Sequence, residues 1–285
     1  GVQRPMSQVR ALEKSELGTL LDWAAQEGWN PGDERDVFWQ TDPQAYLGVH
    51  RDGELIAGLA IVDYGGRLGN MGLFIVRPDF RGQGLGRQLW YQGRDRLLER
   101  LDPAAPIAID AVKAMEGFYA ASGFTAAHDQ HRMRVVSGQE QVPASVRRIS
   151  APVGSVPDMD TGCFGAPRPT FLAGWLAQSD HVAFAHVDDK LRGYGVLRPC
   201  RTGFKVGPLF ADSADVADGL LRAMAAEVPT GSEIFVDVPE VNSAGMEWIA
   251  ERGGEEVFTC ARMYYGTPPA SDWTAVFGVT TLELG

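Results

Sequence analysis

MGLFIVRPDFRGQGLGRQLWYQGRDRLLERL, residues 71–101, reads as a strand, a tight turn and a helix. Gly72–Val76 is a short apolar run closed by Pro78, whose missing N–H marks the end of a strand. Arg81-Gly82-Gln83-Gly84-Leu85-Gly86 follows, with glycine at alternate positions, so the backbone can enter φ > 0 and no Cβ keeps a ligand away. Leu85, Leu89, Leu97, Leu98 and Leu101 then recur at helical spacing, which starts a helix near Gly84. A helix start leaves N–H groups unpartnered and carries partial positive charge, so the turn is an anion site. Phosphate is the expected ligand.

Two familiar phosphate loops do not fit. Gly86 is followed by Arg87-Gln88 and not by Lys-Ser/Thr, which excludes a P-loop. A dinucleotide fingerprint would need glycine at position 87 and a parallel unit, whereas the preceding segments read as hairpins. The segment resembles motif A of the GCN5-related N-acetyltransferases, Arg/Gln-x-x-Gly-x-Gly/Ala after a strand ending in Val-x-Pro, here Val76-Arg77-Pro78 and Arg81 to Gly86. A second family pattern, Tyr-x-x-x-Gly-Phe, stands at Tyr119 to Phe124. Two motifs in the right order are far more specific than either alone, and the resemblance covers about residues 8–138. Relatives often carry Asn seven residues before that tyrosine where this chain has Val112, so a side-chain coenzyme contact there is not carried over.

The flanking segments suit this reading. Residues 8–12 form a first strand, and a helix opening at Ser15-Glu16 carries Leu17, Leu20, Leu21 and Trp23 until Gly28 to Gly32 break it. A short helix follows at about 34–40. Trp29 and Trp39 are candidates for an acceptor pocket, with plain core the favoured role. Asp52-Gly53 between two apolar runs predicts a hairpin. Ile107–Asp110 reads as a buried strand, 114–122 as a helix and 132–136 as a last strand.

The other half reads as a worn copy at a constant offset of 135 residues, with Gly58 matching Gly193, Gly72 matching Gly207 and Gly84 matching Gly219. Where the first half has Arg81-Gly82-Gln83, the copy has Val216-Ala217-Asp218, with Asp212 and Asp215 nearby. These carboxylates would repel a diphosphate, so one coenzyme site is expected. The fold expectation is α+β (mixed α/β): tandem domains of the resembled kind, each a mixed, mostly antiparallel sheet flanked by helices. The boundaries are 1–138, a linker at 139–150 with Pro143, and 151–285.

Composition bounds the partners. The 285 residues carry 37 acidic against 26 basic side chains, a net charge of −11, with no basic cluster beyond the turn, which argues against nucleic acid and anionic membrane. Cys163, Cys200 and Cys260 lack metal or disulfide spacing and read as reduced thiols of a cytoplasmic protein. No apolar run approaches a membrane span, no metal is expected, and GVQRPMSQ lacks a signal core. The opening Gly in place of Met suggests processing.

The resemblance implies a transferase that moves an acetyl group from acetyl-coenzyme A to a primary amine of a small molecule or peptide by direct attack. It implies a diphosphate cradle at Arg81, Gly82, Gln83, Gly84, Leu85, Gly86 and Arg87, and main-chain contacts to the pantetheine arm at Phe74, Ile75 and Val76. Tyr119 matches the tyrosine that protonates the departing sulfur. For the base, Asp110 at the end of its strand and His131 are the candidates. The rival expectations are a non-catalytic acyl-coenzyme A binding or sensing module, and a structural protein on a retired fold. They differ in thiol release and coenzyme binding.

Overall fold

The computed structural model describes residues 8–285; the opening residues read above lie outside them apart from Gln8. The first half contains β1 (Val9–Ala11), α1 (Lys14–Gln26), α2 (Arg35–Thr41), β2 (Tyr46–Arg51), β3 (Glu54–Tyr64), β4 (Leu68–Val76), α3 (Leu85–Arg100), β5 (Ile107–Val112), α4 (Glu116–Ala121) and β6 (Phe124–Val136). The second contains β7 (Val146–Ile149), α5 (Val156–Phe164), α6 (Pro169–Ala177), β8 (Val182–Val187), β9 (Leu191–Pro199), β10 (Phe204–Ala211), α7 (Ala214–Ala225), β11 (Glu233–Pro239), α8 (Ser243–Glu251), β12 (Glu255–Tyr265) and β13 (Val276–Gly278). The same succession of elements thus occurs twice, as the repeat implies. β7 lies inside the segment expected as a connection.

The strands join in the order β1-β2-β3-β4-β5-β12-β6-β11-β10-β9-β8-β7, with β13 paired to β10. Only β4 with β5 and β10 with β11 run parallel, so the sheet is mixed and mostly antiparallel. Asp52 and Gly53 both have positive φ, which gives the β2–β3 turn the twist a tight hairpin needs. At the centre the halves exchange strands. β12 lies between β5 and β6, pairing Arg262 with Asp110 and Cys260 with Gln130, while β6 pairs onward to β11.

Each sheet face is covered. α3 packs Leu89, Trp90 and Leu97 on Leu47, Leu59 and Ile61, and α7 packs Leu220 and Met224 on the matching strands of the second half. On the opposite face, residues of α1, α2, α5 and α6 share a single core, and Phe38 stacks on Trp175 with ring centroids 6.4 Å apart. The copy departs from the constant offset at its turn: α7 begins at Ala214, and Gly219 lies inside it. Ser213 caps that helix, accepting from the Val216 N–H at 3.3 Å, so the helix starts without the glycine turn.

Beyond β13 the chain crosses from β10 to β4. A Cβ on Gly207 would lie 2.3 Å from the Thr280 carbonyl oxygen, and one on Gly72 would lie 1.9 Å from the Glu283 carbonyl oxygen. These glycines are therefore required by a close backbone approach. The Tyr64 hydroxyl donates to Leu284 O at 2.6 Å and Asn70 Nδ2 to Glu283 O at 3.0 Å, which fixes the segment against β4.

Candidate active site

β4 and β5 pair only at Gly69 with Ile107 and Asn70 with Ala108, and diverge from there. Opposite β3 the ladder of β4 slips between Gly72 and Ile75, and Leu73 sits at φ +50°. A non-glycine residue in that region costs of order 1–3 kcal/mol, so the bulge is held by its surroundings. The divergence opens a cleft of about 500 Å³ whose walls include Phe74, Ile75, Val76 and Tyr119.

The glycine turn lies at one end of this cleft. Gly82 and Gly84 have φ of +78° and +80°, and a Cβ at either would meet nothing within 4 Å. Gly86 is tighter, with a Cβ 3.3 Å from Phe74 and Val76. α3 has no side-chain cap and no acidic residue in its first turn. Gln88 N–H donates to Gly84 O at 3.1 Å, leaving Leu85, Gly86 and Arg87 N–H without intrahelical acceptors. The space, the free N–H groups and the helix dipole fit a phosphate group.

The side chains around the turn hold its shape. Arg81 donates from Nε to Val76 O at 2.8 Å and from Nη2 to Glu27 at 2.5 Å. Gln83 accepts from Arg51 at 3.1 Å, and the Arg87 guanidinium lies 4.8 Å from the Tyr91 ring centroid. Phe74 packs against Trp90 at 5.1 Å and Phe118 at 6.0 Å between centroids.

Tyr119 is 6% exposed, and its ring centroid lies 4.6 Å from that of Trp90. Trp90 Nε1 donates to Ser122 Oγ at 2.9 Å, which donates to Tyr119 O at 2.8 Å, so α4 is fixed in place. Burial pushes the Tyr119 phenol above its ordinary value, so it carries its proton at neutral pH.

The two base candidates are placed differently. Asp110 borders the cleft, but both carboxylate oxygens accept from Arg262, at 2.9 Å each, and its side chain is buried. That bidentate pair commits both oxygens of Asp110, and withdrawing them would leave Arg262 buried and unpaired. His131 does not line the cleft; it bonds Glu256 through Nδ1 and faces Glu240 at 3.3 Å through Nε2. Of the two tryptophans, Trp29 lines the cleft, whereas Trp39 packs on Tyr46 at 5.8 Å.

Part of the lining escaped the sequence reading, including Arg132, Phe258 and Cys260 across the strand exchange and Leu282 and Glu283 on the final segment. Gly72 was the one available signal, since a glycine inside an apolar strand marks a close backbone approach. Arg132 pairs with Asp237 at 2.8 and 3.1 Å and donates to Trp29 O at 2.8 Å. Behind it Arg198 pairs with Glu34 at 2.7 Å. Lys205 Nζ and Glu283 Oε2 are buried without hydrogen-bond partners. Burial pushes the Glu283 carboxyl above its ordinary value and the Lys205 amine below its own.

The matching place in the second half is filled. β10 and β11 pair from Phe204 to Val206, and beyond that point β13 joins β10 at Leu209 and Phe210. Val279 N–H donates to Asp237 O at 2.9 Å, and Phe277 is buried. Asp218, expected near the turn, lies inside α7 and pairs with Arg222 at 2.8 Å and Arg252 at 2.5 Å. The three cysteines are free thiols, and no helix among the described residues is long and apolar enough to cross a membrane.

Two models described as "Acetyltransferase (GNAT) domain" match residues 34–140 and 156–278. Holothin acyltransferase from Pseudoalteromonas sp. (strain SANK 73390) is 27% identical over 284 residues, covering 98% of this chain and 94% of its own. A crystal structure of an acetyltransferase candidate from Pyrococcus horikoshii superposes with a TM-score of 0.84 at 19% identity, covering 100% and 98% of the two chains. A tandem GNAT protein from the clavulanic acid biosynthesis pathway gives a TM-score of 0.59 at 14% identity, covering 92% and 99%.

Proposed function

Proceeding from the chain's membership of the GCN5-related N-acetyltransferase superfamily, as a two-domain enzyme of that class, we propose that it moves an acetyl group from acetyl-coenzyme A to a primary amine. In this reading residues 1–138 form the coenzyme-binding unit, 139–150 the connection and 151–285 the unit that closes the acceptor side. There is one coenzyme site. The observation that carries this is the contrast between the two strand divergences: the first is an open cleft beside an uncapped helix start, and the second is filled by β13.

Bound coenzyme supplies the activated thioester. The N–H groups of Leu85, Gly86 and Arg87 and the open backbone at Gly82 and Gly84 bind its diphosphate, while the bulged backbone at Phe74 to Val76 orients the acyl arm. The rings of Phe74, Trp90 and Phe118 pack around Tyr119 and hold its ring, and its hydroxyl protonates the departing sulfur. Asp110 positions Arg262 and does not move a proton.

Trp29 and Phe258 give the acceptor end two aromatic surfaces, and the Arg132 guanidinium lies 5.7 Å from the Phe258 ring centroid. These walls suit a flat, weakly basic amine better than a polycation. The test is release of free thiol from acetyl-coenzyme A with aryl and alkyl amines, cytoplasm-like buffer being sufficient. Coenzyme binding without thiol release would make the chain an acyl-coenzyme A binding module and refute the transferase reading.

A further inference from the structure

We propose that Glu283 is the group that takes the proton from the attacking amine, a catalytic role assigned to the chain's final segment and not to either half's motif residues. It rests on the transferase reading above. Three observations carry it. Glu283 lines the same cleft as Tyr119, on the side formed by the tail. Its backbone is locked on β4, two residues before Phe74, by the Asn70 hydrogen bond and by contact with Gly72. Its Oε2 is buried with no hydrogen-bond partner, although the residue is only 3% exposed. The residue borders the cleft, and a buried acceptor atom left unpaired there is costly until a partner reaches it.

The other acidic residues that line the cleft are committed elsewhere, since Asp110 gives both oxygens to Arg262 and Glu27 accepts from Arg81. The charged groups facing Glu283 are Lys205 on β10, Arg198 on β9, Arg132 on β6 and Glu34 just before α2, with Asp237 on β11 behind Arg132. Arg198 and Arg132 are ion-paired with Glu34 and Asp237, whereas neither Glu283 nor Lys205 has a direct ion-pair partner; Glu34 Oε2 and Arg198 Nη1 in the same cluster are likewise without a hydrogen bond. The Glu283 carboxylate is neither a locked salt bridge nor a solvated surface acid.

The proton count closes. The amine lone pair forms the C–N bond as the thioester carbonyl becomes an oxyanion. When the carbonyl re-forms, the C–S bond breaks, the sulfur takes the Tyr119 proton, and the surplus proton on nitrogen passes to Glu283. The net reaction moves one proton from nitrogen to sulfur, and exchange with solvent returns the proton from Glu283 to Tyr119.

The experiment compares Glu283→Gln and Glu283→Asp with the parent, using acetyl-coenzyme A with 4-methoxyaniline and 2-phenylethylamine as probes and reading thiol release from pH 5 to 9. Expected for Glu283→Gln is a fall in kcat of about 100-fold, with KM for acetyl-coenzyme A unchanged. Its acid limb in kcat/KM should also be lost. Glu283→Asp, which keeps a carboxylate one methylene short, should retain that limb at a lower rate. If Glu283→Gln fails to fold, the limb retained by the folded Asp variant supports the proposal and its absence overturns it. Parent turnover matched by an equally active Gln variant would overturn the Glu283 role alone. Coenzyme binding with no parent turnover would overturn the transferase reading and this role together.

Discussion

Replacing Gly84 by Asp separates ligand binding from folding at the glycine turn. Gly84 is the residue before α3, at φ +80°, and a Cβ there meets nothing within 4 Å. An L-residue in that backbone region costs about 1–2 kcal/mol. An aspartate at a helix start recovers about 1 kcal/mol by accepting from the first N–H groups. The protein should therefore unfold within about 1 kcal/mol of the parent. The ligand fares differently. A carboxylate about 5 Å from a phosphate charge repels it by about 3 kcal/mol at an effective dielectric of 20, or roughly 100-fold in affinity. The new side chain would also take the N–H groups that the phosphate needs. Isothermal titration with acetyl-coenzyme A, beside urea unfolding of the same preparation, measures both quantities. Affinity within twofold of the parent, in a variant that still folds, would refute the cradle.

Tyr119→Phe keeps the ring contacts to Trp90 and Phe118 and removes only the hydroxyl; kcat should fall about 100-fold with KM for acetyl-coenzyme A unchanged, as steady-state thiol release will show. His181 is buried and donates toward Trp175 O; burial, with Arg198 nearby, pushes its imidazole down to about 4. Because the unfolded chain binds that proton near pH 6.5, about 3 kcal/mol of stability present above this pH is lost as pH falls toward 4, and urea midpoints of His181→Gln should show a flatter acid slope. Arg132→Met should cost about 3–5 kcal/mol at neutral pH by leaving Asp237 buried and alone. Burial alone would raise the Asp237 carboxyl, yet Arg132 holds it below its ordinary value, so the deficit should narrow at acid pH where the variant's Asp237 is protonated; a deficit constant with pH would refute the pairing argument.

Local pattern carried much of the architecture. The glycine spacing at 82–86 placed the start of α3, Asp52-Gly53 placed the hairpin, and the 135-residue offset anticipated the doubled order of elements. Such signals are confined to a few neighbouring residues, so a single chain displays them. The strand exchange left no such mark, because Arg262 and Asp110 are 152 positions apart and no motif couples them. The same distance in sequence hid Phe258, Cys260 and Glu283 from the site. It also misplaced the copy's turn, where a serine cap replaced three glycines and let α7 begin early.

The exchanged β12 also sets a timetable for biosynthesis. Val112 is made long before its partner Cys260, which is 148 residues later in the chain. At about 5–20 residues per second, ribosomes leave β5 with a bare edge for roughly 7–30 s. During that interval β5 and β6 can recruit strands from a neighbouring nascent chain, and intermolecular exchange of β12 would give a dimer with each cleft wall borrowed from the other copy. Holdase chaperones that cover the bare edge should therefore raise the yield of monomer without altering its final stability.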